Sequence, residues 1–196
     1  MKPAARRALL RDRLIDLAQA RIEASGPDSL KARDLAAEAG CSIGSIYNVF
    51  SDIDDLVIAV NGRTFLALGT HVTDAGASKA AGPKERMLAM SLAYHDFAMA
   101  HSGRWLALFD ASLITRDDLP EWYLAALDDL YAMIDAPLAE IFPHLASDEI
   151  RLRARALFFA VHGVVRMAVE QQSTGAGETR VQKMITFLLH CVSQEN

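Results

Sequence analysis

The side chains best equipped for metal or nucleophilic chemistry are six histidines (His71, His95, His101, His144, His162 and His190) and two cysteines, Cys41 and Cys191. No two of the histidines stand four apart and there is no HExxH run, so no zinc-type pair shares a helix face. The cysteines lie 150 positions apart, which gives neither a metal spacing nor a disulfide framework. Two buried thiols in a reducing cytoplasm is what such usage implies. His95 is followed directly by Asp96, but neighbours on a helix point to different faces, so the two are not expected to cooperate. Neither a phosphate-binding loop nor a dinucleotide fingerprint occurs. These residues point away from catalysis and imply no cofactor and no metal.

A different chemistry is written into residues 32–51, ARDLAAEAGCSIGSIYNVFS. A helix-turn-helix needs a small residue where its second helix crosses the first, and Ala36 supplies it. The tight turn needs a residue that tolerates positive φ, and Gly40 does so without steric cost. Leu35, Ala39, Cys41, Ile46 and Val49 fall where apolar side chains must hold the two helices together. Ser42 is placed to cap the second helix through its hydroxyl. Gly44 removes a side chain where the start of that helix would come close to DNA. The spacing therefore predicts a DNA-binding element.

The run L-A-x-x-A-G-x-S-x-G-x-I-Y-x-x-F over residues 35–50 resembles the N-terminal signature of TetR-type transcriptional regulators. The layout resembles theirs as well: a basic first helix, this motif, a long fourth helix, then an all-α ligand domain. The resemblance implies that the second motif helix enters the major groove of double-stranded DNA, with Ser42, Ile43, Gly44, Ser45, Tyr47 and Asn48 on its DNA-facing side. Tyr47 would donate to a phosphate, Ser45 and Asn48 would reach base edges, and Ile43 would touch a thymine methyl. Lys31 and Arg33 would add phosphate contacts, as would Arg6 or Arg7 from the N-terminal arm. The chain departs from the family pattern at Lys31, where Thr is common, and at Ile43 and Ile53, where Lys is common. Two usual phosphate anchors are thus missing, and Asp52, Asp54 and Asp55 stand nearby, so modest affinity and a shallow salt dependence are expected. Val161-His162-Gly163 resembles the His-Gly element of one C-terminal subgroup.

The elements that must position these residues are helical. Alternating β-branched runs are absent and no Asn-Gly or Asp-Gly pair joins two of them as a hairpin turn, while Ala, Leu, Arg, Glu and Met dominate. Leu10, Leu14, Leu17, Ala18 and Ile22 mark a first helix over about 4–24, closed by Gly26-Pro27-Asp28. Short helices follow over 31–39 and 43–50. A longer one starts at Ser51 or Asp52 and runs to about Asp74, ahead of a loop over 75–83. Further helices are predicted over 84–101, 104–112, 119–142 (kinked at Pro137), 148–172 and 178–194. The fold class is all-α with about nine helices. Residues 1–51 form the helix-turn-helix head, and 52–196 a ligand-binding and dimerisation domain.

The 196 residues carry 20 Lys+Arg against 25 Asp+Glu, a net charge of −5. Residues 1–50 hold eight basic and six acidic side chains, so a mildly basic head sits on an acidic body, as befits a head that meets a polyanion. With 52% hydrophobic residues the chain is not disordered. Its longest apolar stretch, residues 156–165, is ten residues and includes His162, too short for a membrane span of about 20. The early Arg11, Asp12 and Arg13 interrupt any signal-peptide core, so a cytoplasmic location is expected.

Beyond the head, aromatic and methionine side chains exceed what a thin bundle needs. An apolar pocket for a small effector is expected near Met90, Tyr94, Phe97, Trp105, Phe109, Trp122 and His162. Arg166, one turn beyond His162, could meet an acidic group of that ligand or pair with Glu170. Wide apolar faces on the last two helices, 148–172 and 178–194, suggest burial against a second copy. A two-fold dimer would set its reading helices about 34–36 Å apart, matching a palindromic operator. The leading expectation is a homodimeric transcriptional regulator, a repressor released by a small, largely apolar effector. The alternatives are a dimeric scaffold with a degenerate head, and an all-α enzyme acting on an apolar substrate.

Overall fold

The computed structural model describes residues 2–78, 82–171 and 178–192, and every regular element among them is helical. In chain order these are α1 (Pro3–Ser25), α2 (Ala32–Ala39), α3 (Ile43–Tyr47), α4 (Ile53–Ser78), α5 (Pro83–Ala100) and α6 (Ser102–Leu108). They continue as α7 (Ala111–Ile114), α8 (Glu121–Ala132), α9 (Asp135–Ile141), α10 (Ser147–Glu170) and α11 (Glu178–Val192). A single 3-10 turn, Pro27–Ser29, follows α1.

All nine predicted helices are found, two of them divided. The stretch 119–142 becomes α8 and α9 rather than one kinked helix. A proline ring collides with the carbonyl four residues back, here that of Met133, so the chain breaks at 133–134 and Pro137 is accommodated in the first turn of α9. The stretch 104–112 breaks at Phe109, after which the Asp110 carbonyl accepts from the amides of Leu113 and Ile114 at 3.1 and 3.0 Å. Helix α4 passes the expected end at Asp74 and includes Gly76, whereas α3 stops at Tyr47 instead of 50. The expected loop positions 79–81, the break at 174–177 and the last predicted helical residues, 193–194, lie outside the described residues.

Two compact units form, one from the described residues of Met1–Leu66 and His101–Tyr123, the other from those of Ala67–Ala100 and Leu124–Asn196. In the first, Leu14, Ala18 and Ile22 of α1 repeat every four residues and meet Leu35, Ala36 and Ala39 of α2 and Ile46 of α3. Leu56, Val57 and Val60 of α4, Ala107 and Leu113 complete this core, so the packed unit reaches well past residue 51. The start of α4 is held reciprocally: Asp52 Oδ1 accepts from the Asp55 amide at 2.7 Å and Asp55 Oδ2 from the Ser51 amide at 3.0 Å. Arg116 clamps the same turn through Asp52 and Asp54 while also pairing with Asp118, and Asp118, followed by Asp52, raises its pKa.

Two further contacts tie α6 into this unit. Gly103 lies so close to α1 that a Cβ there would stand 2.1 Å from the Ile22 carbonyl oxygen. At the other end of α6, Asn61 Nδ2 donates to the Ala107 carbonyl at 2.9 Å and to the Tyr123 hydroxyl at 2.8 Å, and Tyr123 donates to the Leu108 carbonyl at 3.2 Å. Side chains thus occupy carbonyls that a helix end leaves without intrahelical partners. Burial pushes the Tyr123 phenol up to about 12, so it stays a donor at every working pH.

In the second unit α5 packs against α9, α10 and α11, and α10 against α11. Leu157, Phe158, Val161, Val165 and Val169 turn the inner face of α10 to this core, with Val181, Ile185 and Leu189 of α11. Among the described residues no helix is long and apolar enough to cross a membrane.

Candidate DNA-reading surface and interior cavity

The helix-turn-helix is built as its spacing requires. Gly40 ends α2 in the left-handed region at φ 67° and ψ 38°, and the Cys41 amide donates to the Ala36 carbonyl at 2.9 Å. Ser42 then caps α3: its Oγ accepts from the Ser45 amide at 3.2 Å and lies 2.8 Å from Ser45 Oγ. Ile46 is fully buried beneath the helix. The opposite side faces out, with Ile43 41% and Tyr47 49% exposed and Ser42, Gly44 and Asn48 also open. Ser45 is half-buried, and Asn48 follows α3 at its C-cap. Lys31 and Arg33 are exposed at the start of α2. A Cβ on Gly44 would meet nothing nearer than Ser42 Oγ at 3.9 Å, so nothing within the chain demands glycine there.

Residues 40–44, Gly-Cys-Ser-Ile-Gly, also spell the spacing of a hydrolase nucleophile turn. That turn joins a strand to a helix, whereas this one joins two helices, and Ser42 is engaged as a cap.

The second unit contains a partly open cavity of about 40 Å³. Val72 of α4 forms one wall, Met87, Met90, Ser91 and Tyr94 of α5 another, and Leu130, Met133 and Ile134 a third; Leu157, Phe158 and Val161 of α10 close it. Met90 and Met133 lean on the backbone of α4: a Cβ on Gly76 would meet Met90 Cγ at 2.9 Å, and one on Gly69 would meet Met133 Cε at 3.2 Å. The Tyr94 hydroxyl is 2.8 Å from His162 Nδ1, and the His162 ring stacks on Phe158 with centroids 5.7 Å apart.

Burial, and secondarily the charge of Arg166, lower His162 from 6.5 to about 4. The unfolded chain therefore binds a proton on this ring below pH 6.5 that the folded chain refuses until about pH 4. The stability it contributes is complete above pH 6.5 and is lost as the pH falls toward 4. After allowance for partial solvent access this is worth roughly 2 kcal/mol. Thermal unfolding of the wild type is expected to weaken more between pH 6.5 and 4.5 than that of His162→Gln; equal slopes would contradict the assignment.

Of the residues expected to surround a ligand, Met90 and Tyr94 line the cavity and His162 touches it through Tyr94. Phe97 is buried against His71, outside the lining. Trp105 and Phe109 pack on each other in the first unit, with ring centroids 5.4 Å apart. Trp122 is 47% exposed and lies over Gly62 of α4, also in the first unit. Arg166 pairs with Glu170 at 2.9 Å on the exposed side of α10. His95 and Asp96, expected to point apart, do meet, Nδ1 to Oδ1 at 3.0 Å. Among the described residues no cluster of three or more His, Cys, Asp or Glu is placed to hold a metal ion.

Comparison with known proteins decides the family. Residues 14–60 match the bacterial regulatory proteins of the tetR family, and residues 87–192 match a tetracyclin repressor-like C-terminal domain. An uncharacterized HTH-type transcriptional regulator of Mycobacterium tuberculosis is 31% identical over 166 residues, covering 84% of this chain and 73% of that protein. The chain belongs to the TetR family.

Solved structures share its fold. A protein of unknown function from Rhodococcus sp. RHA1 aligns with a TM-score of 0.75 at 23% identity, over 94% of this chain and 93% of that one. The regulator FadR from Bacillus subtilis, solved with stearoyl-CoA, aligns with a TM-score of 0.68 at 16% identity, over 93% and 97%. This TetR-family protein is thus a DNA-binding transcriptional regulator with an all-α fold. Of the eleven residues lining the cavity, sequence reasoning named Met90 and Tyr94 and missed the other nine, Met87, Ser91 and Met133 among them. The signal available for Met87 and Ser91 was their spacing of three and four residues from Met90 and Met87 on one helix.

Proposed function

We propose that this TetR-family regulator is a homodimeric repressor that reads a palindromic operator and releases it when a small, largely apolar effector enters the cavity of the second unit. The observation that carries this reading is the double membership of α4. Its Leu56, Val57 and Val60 pack in the same core as Ile46 of the reading helix, while its Val72 walls the cavity and its Gly69 and Gly76 seat Met133 and Met90. A ligand that displaces those methionines presses on the helix whose other half supports α3. The stearoyl-CoA held by the Bacillus subtilis relative supports an effector with an apolar body.

On the DNA side, Tyr47 donates to a phosphate, Ser45 and Asn48 reach base edges, and Ile43 contacts a thymine methyl. Lys31 and Arg33 add phosphate contacts, and the open flank of Gly44 lets the backbone approach closely. Dimerisation uses the outward faces of α10 and α11, where Leu152, Phe159, Met167, Met184 and Phe187 are all more than 40% exposed. Gly163 lies in that stripe with nothing within 4 Å of a Cβ, a second glycine unexplained from within the chain and suited to close helix contact with a partner copy.

Selection from a random duplex library tests the reading. The wild type is expected to enrich a palindrome with half-sites about one helical turn apart. Tyr47→Ala with Asn48→Ala removes about 2–5 kcal/mol of contact per head and should abolish enrichment while leaving the mass of the assembly unchanged. No enrichment by the wild type, or equal enrichment by the variant, would refute the reading.

A further inference from the structure

The chemistry of the cavity wall narrows the class of effector, on the footing that the cavity is the effector site. Of its eleven lining residues only Ser91 and Tyr94 carry polar side chains, and both are neutral hydroxyls. No charged side chain is among them. A carboxylate or phosphate drawn inside would lose its water without gaining a counter-charge. The imidazole beside the wall, His162, is held neutral by burial and by Arg166, and Arg166 is itself committed to Glu170 at 2.9 Å. A phenol bonded to an imidazole can serve either a ligand hydroxyl or a ligand carbonyl, because the two tautomers of the ring exchange the donor and acceptor roles.

Size points the same way. A cavity of about 40 Å³ is several times the space that one water needs. Further room comes from Met87, Met90 and Met133, unbranched side chains that repack at low cost and leave an apolar wall wherever they move. Opening the cavity therefore adds apolar surface and no new charge.

We infer that the effector is an electrically neutral molecule with an apolar body and one hydroxyl or carbonyl group set at Tyr94 and Ser91, and that the cavity rejects a carboxylate on the same body.

The test titrates the full-length protein on its selected operator with octan-1-ol, octan-2-one, octanoate and propylbenzene at pH 7.5. Calorimetry reads binding and fluorescence anisotropy of the labelled duplex reads release. The alcohol and ketone are expected to bind about 30-fold or more tighter than octanoate. Tyr94→Phe should weaken alcohol and ketone about 5–10-fold and leave propylbenzene unchanged. Ser91→Ala, which removes the smaller hydroxyl, provides the same comparison should the tyrosine variant melt early. Octanoate binding as tightly as octanol, or neither variant moving the alcohol-to-propylbenzene ratio, overturns the inference while the repressor reading stands. If none of the four probes, propylbenzene included, releases the operator, the effector reading fails and this inference fails with it.

Discussion

Gly103→Val is expected to destabilise the first unit by about 4 kcal/mol, lowering the unfolding midpoint by roughly 10 °C. The reason is the identity of the atoms in the way. A Cβ at position 103 would stand 2.1 Å from the Ile22 carbonyl oxygen, 2.8 Å from that of Glu23 and 3.0 Å from the Glu23 Cα, all of them backbone of α1. A side chain could rotate aside, but here the start of α6 has to lift off α1. Trp105, Ala107 and Leu108, each fully buried, would lift with it. So would the bridge in which Glu23 holds Arg104 Nε at 2.7 Å and His101 Nδ1 at 3.1 Å. Thermal unfolding followed by circular dichroism measures the effect directly. A midpoint within a degree or two of the wild type would show that the close approach of the two helices is not real.

Phe159→Glu combined with Phe187→Glu is expected to leave the fold intact and the protein monomeric. Phe159 is 58% and Phe187 65% exposed in the single chain, so neither supports its own core. In an assembled dimer each would be a central aromatic contact. Such anchors are commonly worth about 2 kcal/mol or more, and a buried carboxylate adds a further penalty. Dimer affinity should fall by a factor of about 1,000 or more. Operator affinity should collapse along with it, because a monomer grips one half-site only. Light scattering coupled to size exclusion, with circular dichroism to certify the helices, separates the outcomes. A persistent mass of two chains would move the interface away from α10 and α11.

The head was almost wholly legible in the sequence because its determinants are local. Ala36, Gly40, Ser42 and Ile46 lie within eleven residues, and each does its work through neighbours along the chain. The cavity was legible only in part. Periodicity turns Tyr94 and Trp105 inward on their own helices but does not say which helices they then meet, and Trp122 stands 47% exposed. Trp105 and Phe109 were grouped with Met90 on chemical type, and the fold assigns them to the first unit. The break between α8 and α9 escaped for a related reason. Pro137 announces a disturbance, yet the carbonyl it displaces lies four residues earlier, so the chain parts at 133–134 rather than at the proline. Ser91 is a different case: a serine on a helix face has no pattern that separates a cavity wall from a solvated surface.

The methionine wall has a consequence in time. Under the proposed reading, an effector seats itself by repacking Met87, Met90 and Met133, and its departure passes through the same rearrangement. Only molecules already rearranged can be entered at once, so the association rate would fall by the fraction they represent. A regulator built this way would answer a sustained exposure more fully than a brief pulse.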